Sequence, residues 1–181
     1  MQAEMRLLLT GTPGCGKTVF AKKLARFLKA RLVDVNALVE AHKIYEFNSR
    51  KEKVVELRKL QAIIEKILRE EKNVVIESHL LCELRLPCER IIVLRCDPLV
   101  LEKRLERRRY PHWKIRENVM AELLDYCLIK AESNYDKEKV LQVDFTRPLP
   151  PKEVLVKEKG DKVGWMRGFA KVRRKIAGFL E

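Results

Sequence analysis

Short apolar runs alternate along the chain with longer segments in which apolar residues recur every three or four positions. The short runs are rich in Val, Ile and Leu, which is typical of strands buried on both faces of a parallel sheet. They predict five strands, at residues 5–10, 31–35, 73–77, 90–95 and 140–144. Because predicted strands and helices alternate, the pattern indicates an α/β fold with a five-stranded parallel sheet covered by helices on both faces.

The predicted helices each have an apolar stripe at helical spacing. The stripes comprise Phe20, Leu24, Phe27 and Leu28; Leu57, Leu60, Ile64, Ile67 and Leu68; Leu101 and Leu105; and Val119, Leu123, Tyr126 and Cys127. Asn36 is predicted to cap a further helix that runs to about Ile44. The stretch from 45 to 53 is polar and contains no predicted element.

Residues 11–18 read Gly-Thr-Pro-Gly-Cys-Gly-Lys-Thr and match the pattern G-x-x-x-x-G-K-T at every position. In this P-loop motif, backbone N–H groups surround the phosphates, the lysine reaches the β- and γ-phosphates, and the hydroxyl binds Mg²⁺. The motif lies between a predicted strand and a predicted helix, whose N-terminus adds partial positive charge. The sequence therefore predicts a P-loop NTPase that binds ATP with Mg²⁺, with Lys17 at the phosphates and Thr18 at the metal.

The composition narrows the class of protein. A chain of 181 residues accommodates one α/β domain with small insertions, but not a motor or a multidomain ATPase. Its five cysteines accompany a large apolar core and fit a reducing, cytoplasmic location better than a disulfide framework. No run of about 18 apolar residues occurs, so we expect no membrane span. We also expect no signal peptide, because the first residues lead directly into a core strand.

Positive charge dominates the chain, with 39 Lys and Arg against 26 Asp and Glu, for a formal net charge of +13. This imbalance favours an acidic partner such as RNA in addition to the nucleotide. The alternative is the charge-rich surface of a thermophile, since 36% of the residues are charged. A thermophile surface does not need an excess of one sign, and the imbalance therefore favours RNA.

The class of P-loop protein follows from what the chain lacks. It has no Asn-Lys-x-Asp motif for guanine recognition, which excludes a GTPase, and its length excludes a helicase or ring ATPase. A small kinase remains, with an acceptor-binding insertion and an arginine-bearing lid. Residues 36–72 are the predicted helical insertion for the nucleoside monophosphate, and residues 106–116 the predicted short lid. The arginines assigned to the lid are Arg104, Arg107, Arg108, Arg109 and Arg116. The alternative for this run is a solvated basic helix end.

Several motifs between residues 5 and 145 match one family. They are Leu-Thr-Gly-Thr-Pro-Gly-Cys-Gly-Lys-Thr at 9–18, Glu77-Ser78-His79, Val93-Leu94-Arg95-Cys96-Asp97, Arg104-Leu105-Glu106-Arg107-Arg108-Arg109-Tyr110, Glu117-Asn118, Glu122 and Ser133-Asn134-Tyr135. On these motifs the chain resembles the adenylate kinase isoenzyme 6 family, compact nucleoside monophosphate kinases that also serve small-subunit ribosome maturation. The resemblance implies the reaction ATP + AMP = 2 ADP with slower ATP hydrolysis, and AMP or another nucleoside monophosphate as acceptor. It also implies a small-subunit ribosomal protein and rRNA as partners.

The resemblance further implies roles for individual residues. The ATP-binding set is Gly14, Gly16, Lys17, Thr18, the backbone of Val19 and Arg108; the catalytic set is Lys17, Glu77, His79 and Arg108; the Mg²⁺ set is Thr18 and Glu77. Glu77 stands where the family has a Walker-B acid, usually Asp. Its extra methylene displaces the carboxylate, so we expect its contact with Mg²⁺ to run through water.

Two positions depart from the family's pattern. Arg109 replaces the glycine of the usual Arg-Gly-Tyr lid, which is expected to slow lid opening. Glu40 stands where an arginine would favour AMP binding. The donor nucleotide is therefore better defined than the acceptor.

His79 is the candidate catalytic residue outside the P-loop. It follows a predicted buried strand by two residues, at the carboxyl edge where open α/β sheets bind ligands. An imidazole there can orient or deprotonate an attacking water. One alternative is a structural histidine whose ring is hydrogen-bonded to a backbone carbonyl. The other is a zinc site that combines His79 with Cys82, Cys88 or Cys96, although these cysteines do not form a C-x₂-C pair. His42 and His112 are predicted to lie on the surface.

Residues 151–181 are predicted to form a basic C-terminal helical tail, in which Gly160 ends any helix begun at Lys152. The apolar stripe of the tail comprises Trp165, Phe169, Val172, Ile176 and Phe179. This stripe is expected to dock on the core and leave basic residues such as Arg173 and Arg174 exposed to RNA; a membrane-surface helix is the rival interpretation. Two functions remain open, a nucleotide kinase that makes ADP and a ribosome assembly ATPase whose ATP cycle releases a ribosomal partner.

Overall fold

The computed structural model describes residues 5–168. In chain order its strands and helices are β1 (Met5–Gly11), α1 (Lys17–Leu28), β2 (Arg31–Asp34), α2 (Val35–His42), β3 (Tyr45–Phe47), β4 (Lys53–Val55), α3 (Leu57–Glu70), β5 (Asn73–Glu77), β6 (Arg90–Arg95), α4 (Pro98–Arg107), α5 (His112–Leu123), α6 (Tyr126–Asn134), β7 (Val140–Asp144) and α7 (Pro151–Leu155). Short 3₁₀ helices lie at His79–Glu83, Lys137–Lys139 and Trp165–Gly168. The alternation of strands and helices confirms the predicted fold class.

The central sheet contains five parallel strands in the order β2-β5-β1-β6-β7. Leu8 of β1 pairs with Ile76 of β5 and with Ile91 of β6, so the apolar runs of the sequence meet at the centre of the sheet. β5 and β6 lie on opposite sides of β1, which places the topological switch point at the carboxyl end of β1. Open α/β sheets bind their ligands at this point.

Helices bury both faces of the sheet. Leu60 and Ile64 of α3 pack on one face, and Phe20 of α1, Leu105 of α4 and Val119 of α5 pack on the other. Each of these side chains is at most 1% exposed. Full burial of such a side chain stabilises the fold by about 1.5–3 kcal/mol, so the two apolar layers hold the carboxyl edge of the sheet in place.

The second helix begins at Val35, two residues earlier than predicted, and its cap is Asp34 instead of Asn36. The Asp34 side chain accepts a hydrogen bond from the backbone N–H of Asn36 at 2.9 Å. The helix ends at His42, because Lys43 adopts a left-handed conformation with φ 50°. Asp and Asn both cap helices well, so the local sequence did not separate the two.

The polar stretch after α2 forms a hairpin that the sequence pattern did not predict. β3 and β4 pair in antiparallel fashion, with Tyr45 opposite Val55. The side-chain oxygen of Asn48 accepts hydrogen bonds from the backbone N–H groups of Arg50 and Glu52, both at 2.9 Å. Side-chain hydrogen bonds of this kind close turns without the usual glycine, and strands of three residues are too short for a clear period.

Two side chains that were predicted to face inward are exposed. The single helix predicted from the stripe of Val119, Leu123, Tyr126 and Cys127 is divided in two, because Asp125 between α5 and α6 has a φ of 56°. This break rotates the chain, so Tyr126 is 43% exposed while Cys127 remains buried. Phe27 is 55% exposed, since it lies at the margin of the buried face of α1.

The C-terminal segment is less helical than predicted over the residues that the structure describes. α7 ends at Leu155, and no helix spans residues 156–164. The indole N–H of Trp165 nevertheless contacts the core, where it donates a hydrogen bond to Glu122 at 3.1 Å. The rest of the predicted stripe and the basic pair Arg173 and Arg174 lie outside the described residues.

Candidate active site

The P-loop joins β1 to α1 at the topological switch point. Gly14 of this loop has a φ of 96°, and a Cβ atom there would lie 2.8 Å from Leu101 and 2.9 Å from Leu105 of α4. Gly11 has a φ of 137°, and a Cβ atom there would lie 2.3 Å from the carbonyl oxygen of Leu94. Both positions therefore require glycine, because the loop packs directly against β6 and α4.

The cationic and hydroxyl groups of the motif lie beside a buried acid. Lys17 is 7% exposed, and its ammonium group donates a hydrogen bond to the carbonyl oxygen of Thr12 at 3.0 Å. The Thr18 hydroxyl donates to a carboxylate oxygen of Glu77 at 2.9 Å. Glu77 ends β5, which pairs with β1, so the sheet register brings these residues together.

Thr18 and Glu77 suit Mg²⁺, since both supply the hard oxygen ligands that this ion prefers and their hydrogen bond shows that the oxygens converge. Burial raises the pKa of Glu77, although the hydrogen bond from Thr18 and the charge of Lys17 oppose this effect. A bound cation would likewise favour the ionised carboxylate. Within residues 5–168, no cluster of three or more His, Cys, Asp or Glu is placed to hold a metal ion.

His79 opens the 3₁₀ helix after β5, and its side chain is exposed toward a cavity that Lys17 also lines. Desolvation by the surrounding protein, and then the charges of Lys17 and Lys114, lower the pKa of His79 to about 4. The imidazole is therefore neutral at pH 7. Its backbone carbonyl accepts hydrogen bonds from Thr10 and Cys82, but in the described part of the chain its ring has no hydrogen-bond partner. A ring held by a backbone carbonyl, the structural alternative, is not observed.

Two cavities flank the P-loop. The larger has a volume of about 1040 Å³ and lies between the P-loop, α2, the hairpin and α5. The smaller has a volume of about 300 Å³ and lies on the other side of the loop, against Val19, Phe145 and Pro148. Arg108 lines both cavities. One arginine at the end of α4 thus faces two adjacent sites.

The arginines assigned to the lid separate into different roles. Arg104 is structural, because its guanidinium group donates to the carbonyl oxygens of Cys15 at 3.2 Å and Thr146 at 2.7 Å. It thereby ties the P-loop to the segment after β7. Arg109 has a φ of 56°, a conformation that glycine adopts most readily, which accounts for the glycine usual at this position.

Glu122 is the centre of a buried polar network that the sequence analysis did not assign. One carboxylate oxygen accepts from the Arg95 guanidinium at 2.7 Å and from the Cys96 N–H at 3.1 Å. The other accepts from the Thr12 hydroxyl at 2.6 Å, which fixes the start of the P-loop. The sequence contained one signal for this network, because Arg95 and Glu122 are charged residues at positions of β6 and α5 where apolar residues are expected. A buried charge requires a partner, so the two could have been predicted to pair.

The wall of the larger cavity contains a second arrangement that the sequence did not predict, in which a carboxylate of α2 pairs with a lysine of the hairpin. Glu40 of α2 pairs with Lys53 of β4, whose ammonium group also lies 4.3 Å from the centre of the Tyr45 ring. Glu40 and Lys53 both line the larger cavity. The hairpin therefore supplies the positive charge that no arginine provides on α2.

A P-loop at the switch point, a threonine–carboxylate pair beside it and two adjoining cavities define a P-loop kinase. The profile of a family described as an AAA domain matches residues 7–125, from β1 through α5. A protein of Methanocaldococcus jannaschii named "Putative adenylate kinase" is 37% identical, over 78% of this chain and 77% of its own. A protein of the same name from Pyrococcus furiosus is 39% identical, over 83% and 80%. The chain belongs to the family that these archaeal proteins represent, which confirms the resemblance of its motifs.

Solved structures agree on the fold. A gluconokinase from Sinorhizobium meliloti superposes with a TM-score of 0.56 at 15% identity and covers 100% of both chains. A shikimate kinase from Bacteroides thetaiotaomicron superposes with a TM-score of 0.53 at 18% identity, over 96% of this chain and 98% of its own. In addition, none of the helices within residues 5–168 has the length and apolar character to cross a membrane.

Proposed function

We propose that the protein is an adenylate kinase that transfers the γ-phosphoryl group of ATP to AMP or another nucleoside monophosphate. Slower ATP hydrolysis accompanies this reaction when the acceptor is absent. The observation behind the proposal is the pair of cavities that flank the P-loop and share Arg108. Two nucleotides in these cavities would bring a donor and an acceptor phosphate together beside Lys17. The names of the archaeal relatives support this assignment.

The smaller cavity suits the base of the donor nucleotide. Its wall combines the apolar side chains of Phe145 and Pro148 with the guanidinium group of Arg108, and planar bases stack on such groups. The phosphates would then reach the N–H groups of the P-loop and the ammonium group of Lys17. When Mg²⁺ is bound, Thr18 and Glu77 would hold it, the latter through water, and the ion neutralises charge on the β- and γ-phosphates.

The transfer step needs little beyond positioning and charge neutralisation. An oxygen of the acceptor phosphate attacks the γ-phosphorus, and the bond between that phosphorus and the β–γ bridging oxygen breaks. The products are two molecules of ADP, and no proton moves because the attacking oxygen belongs to a phosphate dianion. Lys17 and Arg108 neutralise the charge that develops on the phosphates.

Hydrolysis differs from transfer, because water must be oriented and must lose a proton. The neutral imidazole of His79 lies in the wall of the larger cavity and has no hydrogen-bond partner among residues 5–168. A ring with a pKa near 4 is a weak base, so its contribution is to accept a hydrogen bond from water and orient it. In the absence of AMP, this water occupies the place of the acceptor oxygen.

His79→Ala is expected to lower ATP hydrolysis by about 10²-fold and to affect AMP phosphorylation far less. The difference arises because AMP brings its own ionised nucleophile. ADP formation from ATP alone and from ATP with AMP, CMP or UMP measures both reactions and also tests the proposed function in the wild type. His42→Ala, at an exposed histidine of α2, is the control. Equal losses in the two reactions would assign His79 a shared electrostatic or structural role.

A second function, in small ribosomal subunit maturation, is supported by the exposed face of α1. Lys22, Lys23, Arg26 and Lys29 line this face beside Phe27, which is 55% exposed, and α1 contains no carboxylate. Cations next to an exposed aromatic ring suit the phosphates and bases of RNA. We propose that this face contacts small-subunit rRNA, or its complex with a ribosomal protein, while the kinase site turns over nucleotide.

Arg26→Glu combined with Lys29→Glu is expected to weaken binding to small-subunit rRNA and to flatten its salt dependence, because fewer counterions are released. Neither residue lines either of the two cavities beside the P-loop, so ADP formation from ATP and AMP should not change. The control is Lys59→Glu with Lys66→Glu, the same change of charge on the exposed face of α3. Equal losses of RNA affinity in the two double variants would mean that total charge alone drives binding, and α1 would not be the contact surface.

A further inference from the structure

Two ion pairs connect opposite walls of the larger cavity. The ammonium group of Lys114, on α5, lies 3.3 Å from a carboxylate oxygen of Glu52 at the hairpin turn. The guanidinium group of Arg50, at the same turn, lies 3.2 Å from Glu117 of α5 and 5.6 Å from the centre of the Trp113 ring. The hairpin of the insertion and the helix that follows the lid therefore meet across the mouth of the cavity.

Only one of these two cations faces the site. Lys114 and Glu52 both line the larger cavity, whereas Arg50 does not. Lys114 also lies near the catalytic centre, since its charge, with that of Lys17, helps to lower the pKa of His79. Lys114 thus lines the same cavity as Lys17 and His79, on α5 instead of the P-loop.

The partner of Lys114 is exchangeable. The side chains of Lys114 and Glu52 are 40% and 27% exposed, and ion pairs with this exposure contribute little to stability. Glu52 has a further partner, because the Asn48 amide donates to its other carboxylate oxygen at 3.3 Å. Hydrogen bonding from Asn48, and then from Lys114, holds the pKa of Glu52 below its ordinary value. A phosphate dianion has a higher charge than this carboxylate and forms stronger hydrogen bonds with an ammonium group.

Four other cations line the cavity; one of them, Lys51, is an exposed residue of the hairpin turn, and the other three are less suited to an incoming acceptor phosphate. Lys17 belongs to the donor phosphates, and Arg108 is shared with the donor cavity. Lys53 has two partners, the carboxylate of Glu40 and the face of the Tyr45 ring. Lys114 has one carboxylate partner and a ring contact with its neighbour at 5.7 Å.

We propose that Lys114 binds the phosphate group of the acceptor nucleotide and exchanges Glu52 for it when the acceptor enters. The inference rests on the proposed function and assigns the residue that recognises its second substrate. In the free protein, Glu52 keeps Lys114 directed into the cavity. In the complex, Lys114 neutralises the acceptor phosphate, which would otherwise be repelled by the γ-phosphate of ATP.

If Lys114 exchanges Glu52 for phosphate, substitutions of Lys114 and of Glu52 should change AMP affinity in opposite directions. If the ion pair only holds the two walls together, both substitutions should change it in the same direction. Lys114→Ala is expected to raise the Kd and KM for AMP by about tenfold to a hundredfold, with little change in the KM for ATP. Glu52→Gln removes the competing carboxylate and is expected to lower the Kd for AMP by about two- to fivefold. Arg50→Ala breaks the parallel ion pair, whose cation does not line the cavity, and should leave both values within about twofold. Lys114→Arg should restore part of the affinity.

Calorimetric titration of the full chain with AMP, alongside ADP formation, measures these effects. A Kd that Lys114→Ala leaves unchanged, or that Lys114→Ala and Glu52→Gln shift in the same direction, would overturn the proposal. If AMP binding depends on Lys114 but no ADP forms, the kinase function is refuted and the assignment of Lys114 stands. If ADP forms but AMP binding does not depend on Lys114, the kinase function stands and the assignment of Lys114 is refuted. No AMP binding by the wild type would refute both. A histidine NMR titration checks the geometry, because removal of the Lys114 charge should raise the pKa of His79 above about 4.

Discussion

Lys17→Ala is expected to lower phosphoryl transfer and ATP hydrolysis by about 10³-fold, the largest change in activity that we predict for a single substitution. The ammonium group of Lys17 would neutralise the β- and γ-phosphates as charge develops on them. Within residues 5–168, this group donates one hydrogen bond, to the carbonyl oxygen of Thr12 at 3.0 Å. The loss of this bond should cost the fold about 1 kcal/mol, so the variant should remain folded.

ADP formation and a thermal unfolding curve measured on the same preparation check this prediction. Lys66→Ala, which removes an exposed ammonium group of α3 that lies 4.0 Å from Glu70, is the matched control. It should retain full activity. A folded Lys17→Ala variant with wild-type turnover would show that the phosphates bind elsewhere.

Glu122→Ala is expected to destabilise the protein by about 3–5 kcal/mol, the largest effect on stability. Glu122 and Arg95 are each 1% exposed, and they form an ion pair at 2.7 Å. Burial alone would lower the pKa of Arg95, but the charge of Glu122 and the hydrogen bonds of Asp125 and Glu122 raise it. Without Glu122, the buried guanidinium keeps only Asp125 as a charged partner.

The same substitution should weaken ATP binding, because Glu122 also accepts the hydrogen bond from the Thr12 hydroxyl at the start of the P-loop. Urea unfolding gives the change in the free energy of unfolding, and the KM for ATP reports on the P-loop. Glu117→Ala is the control, since it removes an exposed glutamate of the same helix whose ion pair contributes less than about 1 kcal/mol. A cost below that value in Glu122→Ala would mean that the network does not stabilise the fold.

The strands and the P-loop were predictable because their signals are local. A short apolar run such as Val74-Val75-Ile76 indicates a buried strand without reference to the rest of the chain, and the strand observed there spans Asn73–Glu77. The eight residues of the P-loop specify a phosphate site by themselves, and the parallel sheet then places Glu77 and His79 beside it. The helix boundaries were less accurate at Asn36 and Tyr126, where a single capping or left-handed residue decided the outcome.

The sequence by itself determined the α/β fold, the P-loop and the carboxyl edge at which the candidate catalytic residues lie, because each depends on short-range periodicity or on consecutive residues. Only the tertiary structure decided which distant side chains meet. Glu122 contacts Thr12 across 110 positions, and Lys114 contacts Glu52 across 62. Such pairs leave no periodic signal, since their partners are chosen by the packing of whole helices and hairpins. The buried network behind the P-loop and the ion pair between Lys114 and Glu52 are therefore properties of the folded chain.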